Sequence, residues 1–341
     1  MTKVVISGRF DAQVLERLKQ DWQVVHLPLS PTKWLLSDEE LIDALVDADV
    51  FVTEGNLVTA KVLASSPHLK AVVACKGNPV NVDIATATAE GVMVINTPGR
   101  NAYAVAELCV SLMVMVARNG WASMEAIRSG KWANSPRVWA YMAFQGHELA
   151  GRTVGLVGLG AIGRLMARRL NAFEMRVLAH DPYVSQATAE ALGAQLVPLD
   201  ELLREADFVS MHVHVTDGTR GMIGAREFAL MKPTSFFINT GRAGVVVEEA
   251  MMDTLRQKRI AGAALDVYHI EPLPADHPLL SLPNVVTTPH IGGATFDVVR
   301  HMSRIAESDL AALRKGESPP HLFNRDVLQS PNLRMAVKVV Y

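Results

Sequence analysis

The sequence predicts an α/β protein with two doubly wound parallel sheets. Short β-branched runs alternate with amphipathic segments from one end of the chain to the other, which is typical of parallel strands joined by crossover helices. A glycine triplet of the form G-x-G-x-x-G directly follows one of these runs. The length of 341 residues favours two domains over one.

Composition and charge argue against several classes of function. Hydrophobic residues make up 49% of the chain and the net charge is −2, so no basic field is available for nucleic acid or an anionic membrane. No apolar run reaches the roughly 18 residues that span a bilayer, and we expect no signal peptide. The two cysteines, Cys75 and Cys109, form no C-x-x-C pair. We therefore expect no disulfide and no metal site, and a reducing compartment, the cytoplasm.

The first strand–helix series predicts one small doubly wound domain. One of its helices is predicted at Asp38–Val46. The predicted strands are Val4–Ser7, Gln23–Leu27, Val50–Thr53, Ala71–Cys75 and Val92–Asn96.

A long apolar segment separates the two series. Residues Ala102–Arg118 are apolar on nearly every side, which predicts a buried helix, with Asn101 as a candidate cap. The following stretch, 119–149, contains three tryptophans and the turn residues Gly130 and Pro136. We predict an irregular interface loop or lid there.

The second series starts at Arg152 and carries the glycine triplet. Gly158 permits a tight turn, Gly160 lets a pyrophosphate approach the backbone, and Gly163 lets the next helix pack close to the sheet. The N-terminus of that helix offers free N–H groups to phosphates. The triplet alone is also compatible with a turn that binds nothing, or with S-adenosylmethionine. The predicted strands of this series are Thr153–Val157, Arg176–His180, Phe208–His212, Ser235–Asn239, Gly262–Asp266 and Val285–Thr288.

An acid ends the strand after the glycine triplet. Asp181 lies 18 residues after Gly163, where a carboxylate accepts hydrogen bonds from the adenosine ribose and repels a 2′-phosphate. No Arg or Lys follows within HDPYVSQA to neutralise such a phosphate. We therefore predict NAD, rather than NADP, as the cofactor.

Three ionisable residues follow later strands of the second series: Arg242, Glu271 and His290. Ligands bind at the carboxyl ends of strands in an open parallel sheet. Each residue alone could be an ordinary loop residue. Together they suit hydride transfer at C2 of a small 2-keto or 2-hydroxy acid, with the histidine as general acid/base, the carboxylate as its partner, and the guanidinium fork on the substrate carboxylate and carbonyl. This chemistry requires no metal.

With these motifs, the chain resembles the D-isomer-specific 2-hydroxyacid dehydrogenase family, which includes phosphoglycerate dehydrogenases and glyoxylate/hydroxypyruvate reductases. The resemblance extends from about Cys75 to Thr295. The stretches that carry it are KGNPVNVD, TPGRNAYAVAEL, VGLVGLGAIGR, INTGRAGVVVEEAM, GAALDVYHIEPLPADHPLL and TPHIGGAT.

The resemblance implies a Rossmann NAD domain, residues 102–295, inserted into a flavodoxin-like flanking substrate domain, residues 1–101 plus 296–341. It also implies an active site in the cleft and a homodimer formed through the cofactor domains. Arg242, Glu271 and His290 carry over as catalytic residues. The predicted cofactor-binding residues are Gly158, Gly160, Ala161, Ile162, Gly163, Asp181, Thr240, Asp266 (to the nicotinamide carboxamide) and Gly292. The predicted substrate-binding residues are Lys76, Gly77 and Asn78 (a backbone cradle for the carboxylate), Arg100 and Arg242.

Two departures from the family pattern bear on the substrate. Relatives usually have His-x-Pro where this chain has His212-Val213-His214, and a solvated or core role is expected for His214. Phosphoglycerate dehydrogenases typically have an arginine after the third flanking strand, where this chain has Glu54. A lone acid there would repel a phosphate, although Lys76, Arg100 and Arg137 offer positive charge from other directions.

Two rival functions remain open at this stage. Formate dehydrogenases share the implied fold but have glutamine in place of the acid beside the histidine, and Glu271 argues against that class. An NADH-sensing binding protein, such as a corepressor, would keep the fold and act through protein contacts. Turnover of 2-keto acids with NADH separates that class from an enzyme.

Overall fold

A computed structural model describes residues 2–28 and 35–339. Its internal contacts divide the chain into two units, Met1–Arg100 with Thr295–Tyr341, and Asn101–Ala294. Each unit contains one parallel sheet with buried apolar clusters on both faces. The predicted fold class is therefore confirmed.

The first unit has a five-stranded sheet in the order β2-β1-β3-β4-β5, the order of flavodoxin-like folds. Its strands are β1 (Lys3–Ser7), β2 (Gln23–Leu27), β3 (Val50–Thr53), β4 (Ala71–Ala74) and β5 (Met93–Ile95). Its helices are α1 (Ala12–Asp21), α2 (Asp38–Leu45), α3 (Ala60–Ala64), α4 (Ile84–Ala89) and, from the C-terminal part of the chain, α13 (Phe296–Arg314). Side-chain caps define several helix starts, for example the capping box of Ser37 and Glu40 on α2.

The second unit has a seven-stranded sheet in the order β12-β11-β10-β9-β6-β7-β8. Its strands are β6 (Thr153–Val157), β7 (Arg176–His180), β8 (Ala194–Leu196), β9 (Phe208–Met211), β10 (Phe236–Asn239), β11 (Gly262–Leu265) and β12 (Val285–Thr287). Its helices are α5 (Ala102–Ala117), α6 (Gly120–Arg128), α7 (Arg137–Ala143), α8 (Ala161–Ala172), α9 (Gln186–Glu190), α10 (Leu199–Glu205), α11 (Ala225–Leu230) and α12 (Glu248–Arg256). This is the Rossmann order, with its topological switch point between β6 and β9.

The stretch 119–149, predicted to be an irregular interface loop or lid, contains the two short helices α6 and α7 with irregular chain between and after them. The turn residues that suggested a loop are boundaries of helices α6 and α7. Gly130 has φ +73° just after α6, and Pro136 is the N-cap of α7. A left-handed glycine is common just after a helix, and proline is tolerated at a helix start, where its missing N–H group is not needed.

Three further details differ from the sequence predictions. Asn101 precedes α5 but makes no capping hydrogen bond through its side chain. The edge strand β8 was not predicted, because three residues are too short to show an alternating pattern. Several strands also end one residue early, before Cys75, His212, Asp266 and Thr288. The N–H groups of these residues still donate into the sheet, so the chain leaves the ladder only at their carbonyls.

The long apolar helix α5 is largely buried, as predicted. Within residues 2–28 and 35–339, no single helix is long and apolar enough to cross a membrane, and α5 and α6 reach that threshold only together, across a 70° bend.

Candidate active site

The glycine loop joins β6 to α8 at the carboxyl edge of the seven-stranded sheet. Gly158 has φ +100°, and a Cβ there would lie 2.9 Å from the His212 carbonyl carbon. A Cβ on Gly163 would lie 2.2 Å from the Gly158 oxygen, whereas a Cβ on Gly160 would meet no atom within 4 Å. The first and third glycines are therefore required by packing, and the second faces open space, where a phosphate can approach the backbone.

Two further observations fit a dinucleotide at this edge. No side chain caps the N-terminus of α8, so its first N–H groups lack acceptors within the helix. His212 Nδ1 and Thr240 Oγ1 are buried polar atoms with no hydrogen-bond partner in the described part of the chain. They follow the adjacent strands β9 and β10. Buried polar atoms without partners are rare and typically mark a missing ligand or water.

Asp181 directly follows β7, beside the glycine loop. Its Oδ2 accepts a hydrogen bond from the Leu159 amide at 2.8 Å, and its Oδ1 accepts one from the Tyr183 amide at 2.9 Å. The carboxylate therefore ties the glycine loop to the next strand. Each carboxylate oxygen retains a second acceptor position, which is available to the hydroxyls of a ribose.

Glu271 and His290, which the sequence places 19 residues apart, are in direct contact. Glu271 Oε2 lies 2.6 Å from His290 Nδ1, and both side chains are partly exposed, at 36% and 47%. Glu271 Oε1 accepts a hydrogen bond from the Tyr268 amide at 3.0 Å, which holds the carboxylate in place. The other ring nitrogen of His290 remains available for proton transfer.

Asp266 organises the loop that carries the histidine. It is fully buried, and its oxygens accept hydrogen bonds from Thr288 Oγ1 at 2.6 Å, Ile291 N at 2.8 Å and Gly292 N at 2.8 Å. The loop contains a left-handed residue, His290 itself, with φ +54°. A non-glycine residue in this region costs roughly 1–2 kcal/mol, and the hydrogen bonds to Asp266 offset that cost.

Tyr268 and Thr288 are site residues that the sequence analysis missed. The Tyr268 hydroxyl donates to the Thr288 carbonyl at 2.8 Å, which adds a second attachment for the histidine loop. Burial raises the pKa of Tyr268 to about 12, so the hydroxyl stays protonated as a donor. Their positions beside Asp266 and His290 in the sequence are the only signal that could have suggested them.

Arg242 follows β10, the neighbour of β11 in the sheet. The turn that presents it is held by Asn239, whose side chain accepts from the Gly241 amide and donates to the Arg242 carbonyl, both at 3.0 Å. The exposed guanidinium donates to the Gly241 carbonyl at 2.7 Å and contacts no carboxylate in the described residues. It is therefore available to a carboxylate ligand. Arg242, Glu271 and His290 thus follow the three consecutive strands β10, β11 and β12.

The predicted substrate residues Lys76, Gly77, Asn78 and Arg100 lie in the other unit. The Lys76 and Gly77 carbonyls accept from the Thr97 amide at 2.8 Å and from Asn96 Nδ2 at 2.6 Å, which fixes the turn after β4. The amides of Gly77 and Asn78 have no acceptor within the described residues. They are therefore available to an anion. Arg100 is largely buried beside Glu54.

The His212-Val213-His214 departure separates into two different environments. His214 is exposed, in line with the solvated role expected for it. His212 Nε2 lies 3.0 Å from Ser210 Oγ, which in turn lies 3.3 Å from Cys109 Sγ. Burial lowers the pKa of His212 to about 4. The ring is therefore neutral near neutral pH.

This burial predicts an acid-sensitive contribution to stability. Because the folded-state pKa lies below the ordinary value of 6.5, the unfolded state takes up the proton first as the pH falls. The free energy of unfolding therefore falls by up to ~3 kcal/mol as the pH is lowered from 6.5 to about 4. The free energy of unfolding of His212→Gln should fall less steeply over this range than that of the wild type. The exposed His68→Gln variant is the control, and identical slopes for all three proteins would contradict the prediction.

The fold and this site define a dinucleotide-binding α/β enzyme that uses a nicotinamide cofactor. The sequence profile described as "D-isomer specific 2-hydroxyacid dehydrogenase, NAD binding domain" matches residues 110–292. The chain belongs to the D-isomer specific 2-hydroxyacid dehydrogenase family.

Individual relatives support the same assignment. A glyoxylate reductase of Thermococcus litoralis is 40% identical over 294 residues, covering 85% of this chain and 88% of the relative. A D-3-phosphoglycerate dehydrogenase of Methanocaldococcus jannaschii is 36% identical over 291 residues, covering 85% of this chain but 54% of the relative. Among solved structures, a protein of Thermus thermophilus matches with a TM-score of 0.82 and 32% identity, covering 94% of this chain and 99% of that one.

Proposed function

We propose that this protein transfers a hydride between NAD and C2 of a small D-2-hydroxy acid or 2-keto acid. The observation that carries the proposal is the 2.6 Å contact between His290 Nδ1 and Glu271 Oε2. This pair lies at the same sheet edge as a glycine loop that fits a dinucleotide. The family membership and the glyoxylate reductase relative support the same chemistry; the D configuration rests on the family alone.

In the proposed mechanism, the glycine loop and Asp181 would hold NADH, which would supply the hydride that reduces C2. His290 donates a proton from Nε2 to the carbonyl oxygen, since its Nδ1 is engaged by Glu271. The Glu271 carboxylate stabilises the charged imidazolium before transfer and holds the ring in one orientation. Arg242 binds the substrate carboxylate and polarises the carbonyl through its planar fork. In the oxidative direction, His290 accepts the hydroxyl proton.

We assign the cofactor-binding role to the unit Asn101–Ala294 and propose substrate contacts on the other unit. The unpaired amides of Gly77 and Asn78 support a carboxylate cradle there. In the cofactor-binding unit, the unpartnered Thr240 Oγ1 supports a contact to the cofactor. For Asp266, the loop contacts support a positioning role beside the predicted one to the nicotinamide carboxamide.

A panel of 2-keto acids with NADH tests the function. Glyoxylate, hydroxypyruvate, pyruvate and bulkier keto acids are each expected either to oxidise NADH or to be rejected on size or charge. At least one should show clear turnover. For an active keto acid whose product is chiral, which excludes glyoxylate, both enantiomers of the product should be tested in the reverse direction, where only the D form should react. If none of these keto acids lowers the NADH absorbance, the result would favour an NADH-sensing binding protein.

We propose NAD, rather than NADP, as the cofactor because Asp181 places a negative charge beside the glycine loop. Asp181→Ala should lower the ratio of kcat/KM for NADH to that for NADPH by about 10-fold, since it removes the repulsion of a 2′-phosphate. Asp181→Asn separates the loss of charge from the loss of the loop contact. The exposed acid Asp253 supplies the control variant, Asp253→Ala. An unchanged ratio in Asp181→Ala would place cofactor choice elsewhere.

We also propose a cytoplasmic homodimer. Helices α5 to α7 and the turn after α6 carry eight large apolar side chains that are exposed, and many exposed apolar side chains on one stretch of chain favour an interface. These side chains are those of Tyr103, Trp121, Met124, Ile127, Trp132, Val138, Tyr141 and Met142. Sedimentation equilibrium should give a molecular mass of twice the 37.1 kDa chain mass. The double variant Ile127→Glu with Tyr141→Glu should have the mass of a single chain. A wild-type monomer would contradict the proposal.

Two buried free cysteines support a reducing compartment.

A further inference from the structure

The turn after β4, which carries the proposed carboxylate cradle, is held from the neighbouring strand. The Lys76 carbonyl accepts a hydrogen bond from the Thr97 amide at 2.8 Å. The Gly77 carbonyl accepts one from Asn96 Nδ2 at 2.6 Å. Both donors directly follow β5, the neighbour of β4 in the five-stranded sheet. The two carbonyls of the turn are therefore fixed by one short segment of chain.

These two hydrogen bonds set the direction of the cradle amides. In a planar trans peptide, the N–H group points away from the carbonyl of the same peptide. The Gly77 amide shares a peptide with the Lys76 carbonyl, and the Asn78 amide shares the next peptide with the Gly77 carbonyl. Because both carbonyls are held by the segment after β5, both amides point away from that segment. Successive N–H groups that point to one side form a concave site for an anion.

Asn96 is itself held from the core of the first unit. Its amide donates to the His321 carbonyl at 3.1 Å. Asp309, on α13, contacts His321 at two points. One carboxylate oxygen accepts from the His321 amide at 3.0 Å, and the other lies 2.9 Å from the ring nitrogen Nδ1. A chain of contacts therefore connects α13 to the turn through His321 and Asn96.

The Asp309 carboxylate is costly to bury. Its side chain is fully buried, and desolvation by this burial raises its pKa. Its hydrogen-bond partners in the described residues are both on His321. Since apolar residues can often replace a buried ion pair without loss of stability, stability alone does not account for the pair. Its contact with the segment that holds the cradle points to a positioning role.

We propose that Asn96 is a positioning residue for the carboxylate of the substrate. It aims the Gly77 and Asn78 amides, and the Asp309–His321 pair holds Asn96 in place from the core. This inference rests on the proposed dehydrogenase function and adds residues that act without touching the substrate.

Steady-state kinetics with NADH and an active keto acid test the role of Asn96. Asn96→Ala removes the hydrogen bond to Gly77 and should raise KM for the keto acid by about 3- to 10-fold, the usual contribution of one hydrogen bond. The kcat value and the dissociation constant for NADH should stay close to those of the wild type, because the cofactor-binding role is assigned to the other unit.

Asn332→Ala is the matched control. Asn332 also donates from Nδ2 to a carbonyl of the same unit, that of Ala89, at 3.0 Å. This variant should keep the wild-type KM. A lower melting temperature of Asn96→Ala without a change in KM would show a purely structural role and overturn the proposal.

Asp309→Asn tests the pair behind Asn96. It keeps the shape of the side chain, removes its charge, and should raise KM by less than Asn96→Ala does. In the double variant it should add little, because residues that act through one contact are not additive. Glu307→Gln, which removes another carboxylate of α13, is the control and should leave KM unchanged. Fully additive effects would overturn the role of the pair.

Binding of oxamate separates this proposal from the dehydrogenase function itself. Oxamate carries a carboxylate next to a carbonyl, as a 2-keto acid does. If no keto acid is turned over, the proposed function fails, but calorimetry and the amide NMR signals of Gly77 and Asn78 still report on the cradle. Shifts of these signals with oxamate, and binding that Asn96→Ala weakens by about 3-fold or more, support the proposal. Unshifted signals, or equal binding by both proteins, overturn it.

Discussion

Replacing His290 with asparagine is expected to lower kcat by at least ~10²-fold while NADH binding stays nearly unchanged. In the proposed mechanism the histidine exchanges a proton with the substrate oxygen, and asparagine has no proton to transfer near neutral pH. The ring contacts the protein mainly through Glu271, so its removal leaves the glycine loop and Asp181 intact. Single-turnover rates and fluorescence titration with NADH measure the two quantities separately.

The control for this variant is His269→Asn. His269 is exposed and lies two residues before Glu271, but no contact of its side chain is found in the described residues. It should retain wild-type turnover. A His290→Asn enzyme with wild-type kcat would remove the residue from its catalytic role, and a large loss of NADH affinity would make it a cofactor-binding residue instead.

Arg242→Gln should give the second large effect, a fall in kcat/KM of about 10²- to 10³-fold. The guanidinium has no carboxylate partner in the described residues and its turn is held rigidly by Asn239. Loss of a bidentate, charge-assisted contact to a carboxylate costs about 3–4 kcal/mol. Because the proposed polarisation of the substrate carbonyl by Arg242 is lost as well, both kcat and KM should change.

Arg242→Lys distinguishes charge from geometry. A lysine keeps the charge without the planar fork, so it should recover only part of the activity. Arg259→Gln replaces an exposed arginine just before β11, at the opposite end of that strand from Glu271, and should behave as wild type. Similar kcat/KM values for Arg242→Gln and Arg259→Gln would show that the substrate carboxylate binds elsewhere.

Much of the fold was predictable because its signals are local. Buried parallel strands appear as short β-branched runs, and the junction of β6 and α8 requires glycine at Gly158 in the turn and at Gly163 in the first turn of the helix. The same reasoning was incomplete at residues 119–149, where Gly130 and Pro136 lie in the turn between helices α6 and α7, and the helices themselves were not predicted. A turn residue shows that the chain changes direction, but not what lies on either side.

The candidate site was predictable to a similar extent. Arg242, Glu271 and His290 were identifiable because the carboxyl ends of parallel strands share one edge of a sheet. The contacts that position the histidine loop were not identifiable from the sequence, namely those of Asp266 and the hydrogen bond from Tyr268 to the Thr288 carbonyl. The unpartnered His212 nitrogen was not identifiable either. These contacts join residues whose types are common and whose spacing follows no rule.

The sequence by itself determined that this protein has two parallel-sheet units, a glycine loop after one strand, and a glutamate and a histidine after two neighbouring strands, because local geometry and residue type set these features. Only the tertiary structure decided how the charges are paired. Glu54 stands alone in the sequence, yet in the fold Arg9 neutralises it and leaves Arg100 in excess. An electrostatic effect depends on the distance between charges, and residues 9, 54 and 100 come together only through the order of strands in the sheet.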